Sequence, residues 1–264
     1  MTEIKTSDLL EETTILSKGR YLQLVIKLKF LDDAIIRSND NEEVLTYKYK
    51  ELGNRFIIPW RKVKAKLRRL VMEKQRGFNI ESNCHLKDNL CMRCPSCFIF
   101  GGTGETSNTK AHYNILARIL GETFISIEET KEIEPYTANA VDEKNLTTGQ
   151  ALMNIIKVPA ETEFLGVITI RDPTPEIVSI VVDNINRLSR LGARTVEWGK
   201  VRTEILGCNL SDREDLNTID LVSKGLDKIK GELNTLDSKL PKVDKAYKDL
   251  DNKFKKELKK EKLI

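Results

Sequence analysis

At 264 residues with 40% apolar side chains, the chain can bury one good core, or a core with a small subdomain. Charged residues make up 32% and nearly cancel to a net charge of +4, so the placement of charge says more about partners than its sum. No apolar run approaches the roughly 20 residues of a membrane span, and the N-terminal stretch carries no apolar signal core. The expectation is a cytoplasmic protein with no membrane partner.

In chain order, "YLQLVIKLKF" (Tyr21–Phe30) alternates polar and apolar residues and predicts a half-buried strand. A polar loop, "RSNDNEE", follows. Pro59 then opens a helix that Gly77 closes, with Val63, Leu67, Leu70 and Val71 as its apolar stripe. "AHYNILARILG" fits a short helix or a bent strand edge equally well. "ETFISIEETKEI", "TEFLGVITIRD" and "RTVEWGKVRTEILG" read as strands, and "PEIVSIVVDNINRLSRLGA" between the last two reads as a helix capped by Gly192. Strands interleaved with helices and varied loops predict an α+β fold. From about Ser211 the pattern changes to a three-and-four spacing of apolar residues, Ile219 through Leu258, interrupted by Pro241. That predicts a kinked helix or helical hairpin, serving as an appendage on its own core or as a docking arm.

Four of the five cysteines, Cys84, Cys91, Cys94 and Cys97, fall within "CHLKDNLCMRCPSC". Close cysteine spacing in an intracellular chain favours a metal over a disulfide, and four protein ligands leave no open position for water or substrate. A closed zinc site with a structural role is the leading reading, and a disulfide, free thiols or an iron–sulfur cluster are the alternatives. The fourth ligand is Cys84 or, as a rival, His85. Cys208 reads as a buried core thiol. "GGTGETSNTK" after the cluster lacks the order of a phosphate-binding loop, because no glycine precedes Lys110, and reads as an ordinary loop.

Arg61, Lys62, Lys64, Lys66, Arg68 and Arg69 stand at the start of the first long helix with no acid among them. A helix N-terminus already offers free N–H groups and a positive dipole end, so added cations make a phosphate site. A solvated helix face is the plainer alternative. Trp60 at the helix mouth is placed to stack on a base or to be buried in the core.

Together these stretches resemble a known family. "FIIPWRKVKAKLRR" resembles the helix start of the RAMP superfamily of CRISPR-associated proteins, with Lys64 and Arg68 on that motif's Lys and Arg. "CHLKDNLCMRCPSCFIFG" resembles the cysteine cluster of the repeated backbone subunit of type I-D CRISPR effector complexes. "YTANAVDEKNLTTGQALMNIIKVPAETEF" is similar to the thumb-like hairpin of backbone subunits, and "LGARTVEWGKVRTEILG" to the superfamily's glycine-bearing loop, with Gly192 and Gly199 at matching places. The resemblance covers residues 20–208 and leaves the tail from Ser211 outside.

It implies an RRM-like (ferredoxin-like) core over 1–210, with a zinc-binding insertion at about 78–113 and a thumb hairpin at about 128–160; the apolar spacing itself predicts the helical tail over 211–264. It also implies the function: a backbone subunit that grips guide RNA, with Lys64 and Arg68 on the family's motif, and polymerises head to tail. Trp60, Arg61, Lys62 and Arg69 join them as RNA-binding candidates from the cationic helix itself. Such a subunit presents the guide to complementary target DNA or RNA, beside other effector subunits. Sequence is then read by base pairing and not by the protein. The competing enzyme reading is metal-dependent RNA cleavage through Asp32 or Asp33 in the loop after the first strand. A guide-processing nuclease fits less well, because the only histidines are His85 and His112. A zinc-stabilised coiled-coil protein without nucleic acid leaves the acid-free basic helix unexplained.

Overall fold

The computed structural model describes residues 2–36, 46–105, 107, 110–130, 136–142, 147–155, 157–237 and 239–264. The polar loop expected at 37–43 and the tip of the expected thumb, 143–146, lie outside the described residues. In chain order the strands are β1 (Glu3–Ile4), β2 (Tyr21–Phe30), β3 (Thr46–Tyr49), β4 (Gly53–Ile58), β5 (Ile119–Gly121), β6 (Phe124–Ser126), β7 (Tyr136–Asp142), β8 (Thr147–Ile155), β9 (Glu163–Arg171), β10 (Val201–Ser211) and β11 (Thr235–Leu236). The helices are α1 (Trp60–Gly77), α2 (Pro95–Phe100), α3 (Pro175–Asn186), α4 (Thr218–Lys224), α5 (Leu226–Glu232) and α6 (Val243–Lys260).

The main sheet is antiparallel and runs β10-β2-β9-β6-β4-β3, with β5 also paired to β9. The three long strands, β10, β2 and β9, are neighbours with β10 at the edge, and alternation gives each an apolar face to bury. In β2, Leu22, Leu24, Ile26, Leu28 and Phe30 all point into the larger core, which α1, α3 and α6 also line. The expectation of a half-buried β2 is only partly met, since its second face is covered too. Val25 packs there with Leu165 and Val167 of β9 and with Leu221, Val222 and Ile229 of α4 and α5. Gln23, buried on that same face, is satisfied in both directions: its Nε2 donates to the Leu216 carbonyl and its Oε1 accepts from the Leu216 N–H.

α1 starts and stops where the sequence marks it, with Pro59 as N-cap and Val63, Leu67, Leu70 and Val71 buried. α3 begins on a Thr174 cap, whose hydroxyl accepts from the Ile177 N–H, with Pro175 in the first turn. It ends at Asn186, well before Gly192, so Gly192 is not its cap. Gly192 sits at φ 113°, and a Cβ there would lie 2.7 Å from the Ile35 carbonyl oxygen. Its place is the close approach of the 187–200 loop to the chain after β2. "AHYNILARILG" is not helical and ends in β5, while among the described residues of "ETFISIEETKEI" only Phe124–Ser126 is strand. β7 and β8 form a two-stranded sheet of their own, off the main sheet.

The C-terminal segment departs most from expectation. Its heptad residues do not make one seam. Val222, Ile229 and Leu233 cover one face of the sheet, whereas Tyr247, Leu250, Phe254 and Leu258 of α6 are fully buried in the larger core on the other. Pro241 precedes α6, and the chain between α5 and α6 forms β11, which pairs parallel with β1. A three-and-four apolar spacing marks an amphipathic helix without saying what the helix packs on. Here the partners are the sheet and α3, not a second copy of the same seam.

Candidate metal centre and cationic helix

The sulfurs of Cys84, Cys91, Cys94 and Cys97 all lie within 4.8 Å of one another. The chain folds back to do this through short local devices. Met92 takes a left-handed conformation, φ 60°, between Cys91 and the later pair. Cys94 caps α2, its sulfur accepting from the Cys97 N–H at 3.4 Å, and Pro95 fixes the first helical turn. The Cys84 sulfur accepts from the Cys91 N–H at 3.4 Å and lies 3.7 Å from both Cys94 and Cys97. Hydrogen bonds from Cys91, Cys94 and Cys97 hold the Cys84 thiol well below its usual range, while burial first, then its three neighbours, pushes Cys94 well above. Four thiols drawn together in this way form a donor set that can hold one metal ion.

Cys84, and not His85, completes the cluster. The His85 ring faces outward, its Nδ1 against the Asn83 carbonyl and the Asn89 amide. Cys208 lies apart in β10, fully buried, with its pKa raised by burial to about 11. None of the five cysteines is disulfide-bonded. His112 is exposed, edge-on to Tyr113.

The clasp is bolted to the core from behind. Phe98 of α2 meets Phe254 of α6 with ring centroids 4.6 Å apart, and the Gln75 side-chain oxygen of α1 accepts from the Ser96 N–H. Glu81 takes Arg93 and Lys255 at 3.0 Å each, and Lys255 also reaches Asp251 at 2.8 Å. Sequence reading missed this network, and no local motif signals it, because its members are far apart along the chain. It also missed Arg118, which is 2% exposed and pairs with Asp172. Arg118 further donates to the Thr14 and Ile15 carbonyls and lies over the Phe98 ring, so it ties the N-terminal arm to the strand edge and the clasp.

At the helix mouth the six cations and Trp60 are sorted by packing. The Trp60 ring is half-buried against Gly121, where a Cβ would come within 2.6 Å of it. Arg61 and Arg69 are exposed, and Lys62, Lys64, Lys66 and Arg68 are half-buried. Lys64 is held below the usual lysine range, by burial first and then by Arg68. Arg68 donates to the Gly101 carbonyl at 2.9 Å and sits over the Phe100 ring, so part of its hydrogen-bonding capacity serves the glycine loop. Asp32 accepts from the Lys200 N–H at 2.7 Å; Asp33 accepts from the Ala160 N–H at 3.1 Å and pairs with Lys157. Both carboxylates thus brace neighbouring loops.

The fold and site define a class: an antiparallel α+β protein with a four-thiol clasp inserted behind a cationic helix. The sequence model described as Csc2 Crispr matches residues 8–264. The chain belongs to the Csc2 family of CRISPR proteins. That match runs through the C-terminal segment, so the family likeness extends beyond residues 20–208 at both ends. The crystal structure of Thermofilum pendens Csc2 is similar, with a TM-score of 0.58 at 21% identity, over 93% of this chain and 78% of that one. Weaker likenesses join the chain to a component of a Type IV-B CRISPR complex (TM-score 0.48, 15% identity, 76% of this chain and 98% of that one). A component of the Type III-B Cmr-beta complex bound to cognate target RNA follows (TM-score 0.46, 12% identity, 72% and 61%). No curated protein matches the chain by sequence.

Proposed function

We propose that the chain is a guide-RNA-binding backbone subunit of a type I-D CRISPR effector complex, one that polymerises head to tail along the RNA and presents it to complementary DNA or RNA. Membership of the Csc2 CRISPR family is the observation that carries this reading. The strand path supports an RRM-like core: β2, α1, β6, β9, α3 and β10 follow in chain order, and their four strands lie as β10-β2-β9-β6. The β7–β8 hairpin stands as the thumb. The 3.7 Å sulfur separations agree with the edge of about 3.8 Å expected for sulfurs arranged tetrahedrally about 2.3 Å from zinc. Zinc in such a site would hold the insertion's fold and leave no position for catalysis.

Lys64 and Arg68 are the phosphate grip in this reading. They crowd each other at a helix start that holds no acid in its first turn, and a phosphate would relieve that repulsion. Asp32 and Asp33 act as loop braces and not as a cleavage site. The test is binding to RNAs of several sequences across a salt series. Lys64→Ala with Arg68→Ala should weaken all of them alike, and each lost contact should reduce the log–log salt slope by about 0.7. An unchanged slope, or a loss confined to one sequence, would move the grip elsewhere. Metal-dependent RNA cleavage that disappears in Asp33→Ala would replace the binding reading with the enzymatic one.

A further inference from the structure

The four sulfurs of the clasp are not equivalent. Cys84, Cys94 and Cys97 are 2%, 0% and 0% exposed. Cys91 is only half-buried, and it lines a cavity of about 240 Å³ together with Arg93, Lys110, His112, Tyr113 and Leu263. A small polar reagent entering there meets one thiolate, with the other three behind it. The same cavity is walled by the chain that leaves α6, and the clasp contacts α6 directly through the Phe98–Phe254 pair and the Glu81–Lys255 bridge.

We propose that Cys91 is the thiolate at which peroxide-class oxidants open the clasp, and that opening it unseats α6. The proposal rests on the metal-clasp reading. The Cys91 sulfur attacks one peroxide oxygen; an S–O bond forms, the O–O bond breaks, and hydroxide leaves. A second clasp thiolate, no more than 4.8 Å away, then attacks the sulfenic sulfur, forming an S–S bond and expelling a second hydroxide. Two thiolates have lost two electrons in all, and the peroxide has gained them. A metal held by Cys84, Cys91, Cys94 and Cys97 would then keep only two of those four sulfurs. Cys208, fully buried in β10, is the internal control.

The experiment treats metal-loaded, full-length protein with limiting hydrogen peroxide. A sulfenic-acid trap followed by peptide mapping reads which cysteine reacts, a chromogenic chelator reads metal release, and hydrogen exchange reads α6. Cys91 should carry the first adduct, about one metal ion should leave per peroxide consumed, and protection over Val243–Lys260 should fall with release. Adducts spread evenly, or appearing first on Cys84, Cys94, Cys97 or Cys208, overturn the proposal. So does metal release with α6 protection unchanged. In Cys91→Ser, adduct formation on the remaining cysteines should be about tenfold slower, whether or not the variant holds metal, and adducts at the wild-type rate count against the proposal. Protein that purifies without metal overturns the metal reading separately, and its own adduct map still decides whether Cys91 is the point of entry.

Discussion

α1 and α6 are both 18 residues long, and each buries an apolar stripe in the same core, yet they treat their lysines differently. Three lysines of α6 meet acids from this chain: Lys253 meets Glu176 at 2.6 Å, Lys255 meets Glu81 and Asp251, and Lys260 meets Glu257. Lys74 late in α1 likewise meets Asp183, so the difference lies at the start of α1. α1 opens with six cations before its first acid, Glu73. Burial first, and then the neighbouring Arg68, disfavours the charge on Lys64. Charge answered within the fold belongs to stability, and charge left crowded at a helix mouth supports a ligand. Amphipathicity alone does not separate the two cases; the distribution of acids does.

The sharpest way to break that comparison is to remove α6. Deleting residues 243–264 strips Tyr247, Leu250, Phe254 and Leu258 from the core, and the truncated chain should be insoluble or unfolded by circular dichroism. Phe254→Ala should by itself cost about 3–5 kcal/mol in urea denaturation. A soluble, cooperatively folded truncation would restore α6 to the status of an appendage. A smaller loss is expected at the clasp. Cys94→Ser should abolish metal binding, measured by elemental analysis, and lower Tm by about 5–15 °C.

The smallest effects test the two charge patterns against each other. Lys253→Ala leaves the nearly buried Glu176 carboxylate without its cation and should cost about 1–2 kcal/mol, with RNA affinity unchanged. Lys64→Ala with Arg69→Ala should shift stability by no more than about 0.5 kcal/mol, and RNA affinity should fall. If the two variants exchanged signatures, the assignment of α1 to binding and α6 to the fold would have to be reversed.

Much of the site was legible because its signals are local. Cys91, Cys94 and Cys97 are close enough in sequence to be read as a set, and Pro59 and Gly77 mark the two ends of α1. The choice between Cys84 and His85 was not local. Adjacent side chains diverge from the backbone, and only the fold shows that Cys84 turns inward while His85 meets Asn83 and Asn89. Trp60 is a similar case: its place at a helix mouth suits a stacking role or a packing role, and the missing side chain at Gly121 lets its ring settle there.

By itself the sequence determined the α+β class, the α1 boundaries, three of the clasp cysteines (Cys91, Cys94 and Cys97) and the acid-free cationic run. Each is a matter of spacing over a few residues, where backbone geometry and periodicity decide the outcome. Only the tertiary structure decided that the C-terminal segment divides between two faces of the sheet, and that Gly192 serves a close approach and not a cap. It also decided that Arg118 and Asp172 are buried together. Those outcomes depend on which surfaces meet across long stretches of chain, and burial there is fixed by the partner as much as by the residue.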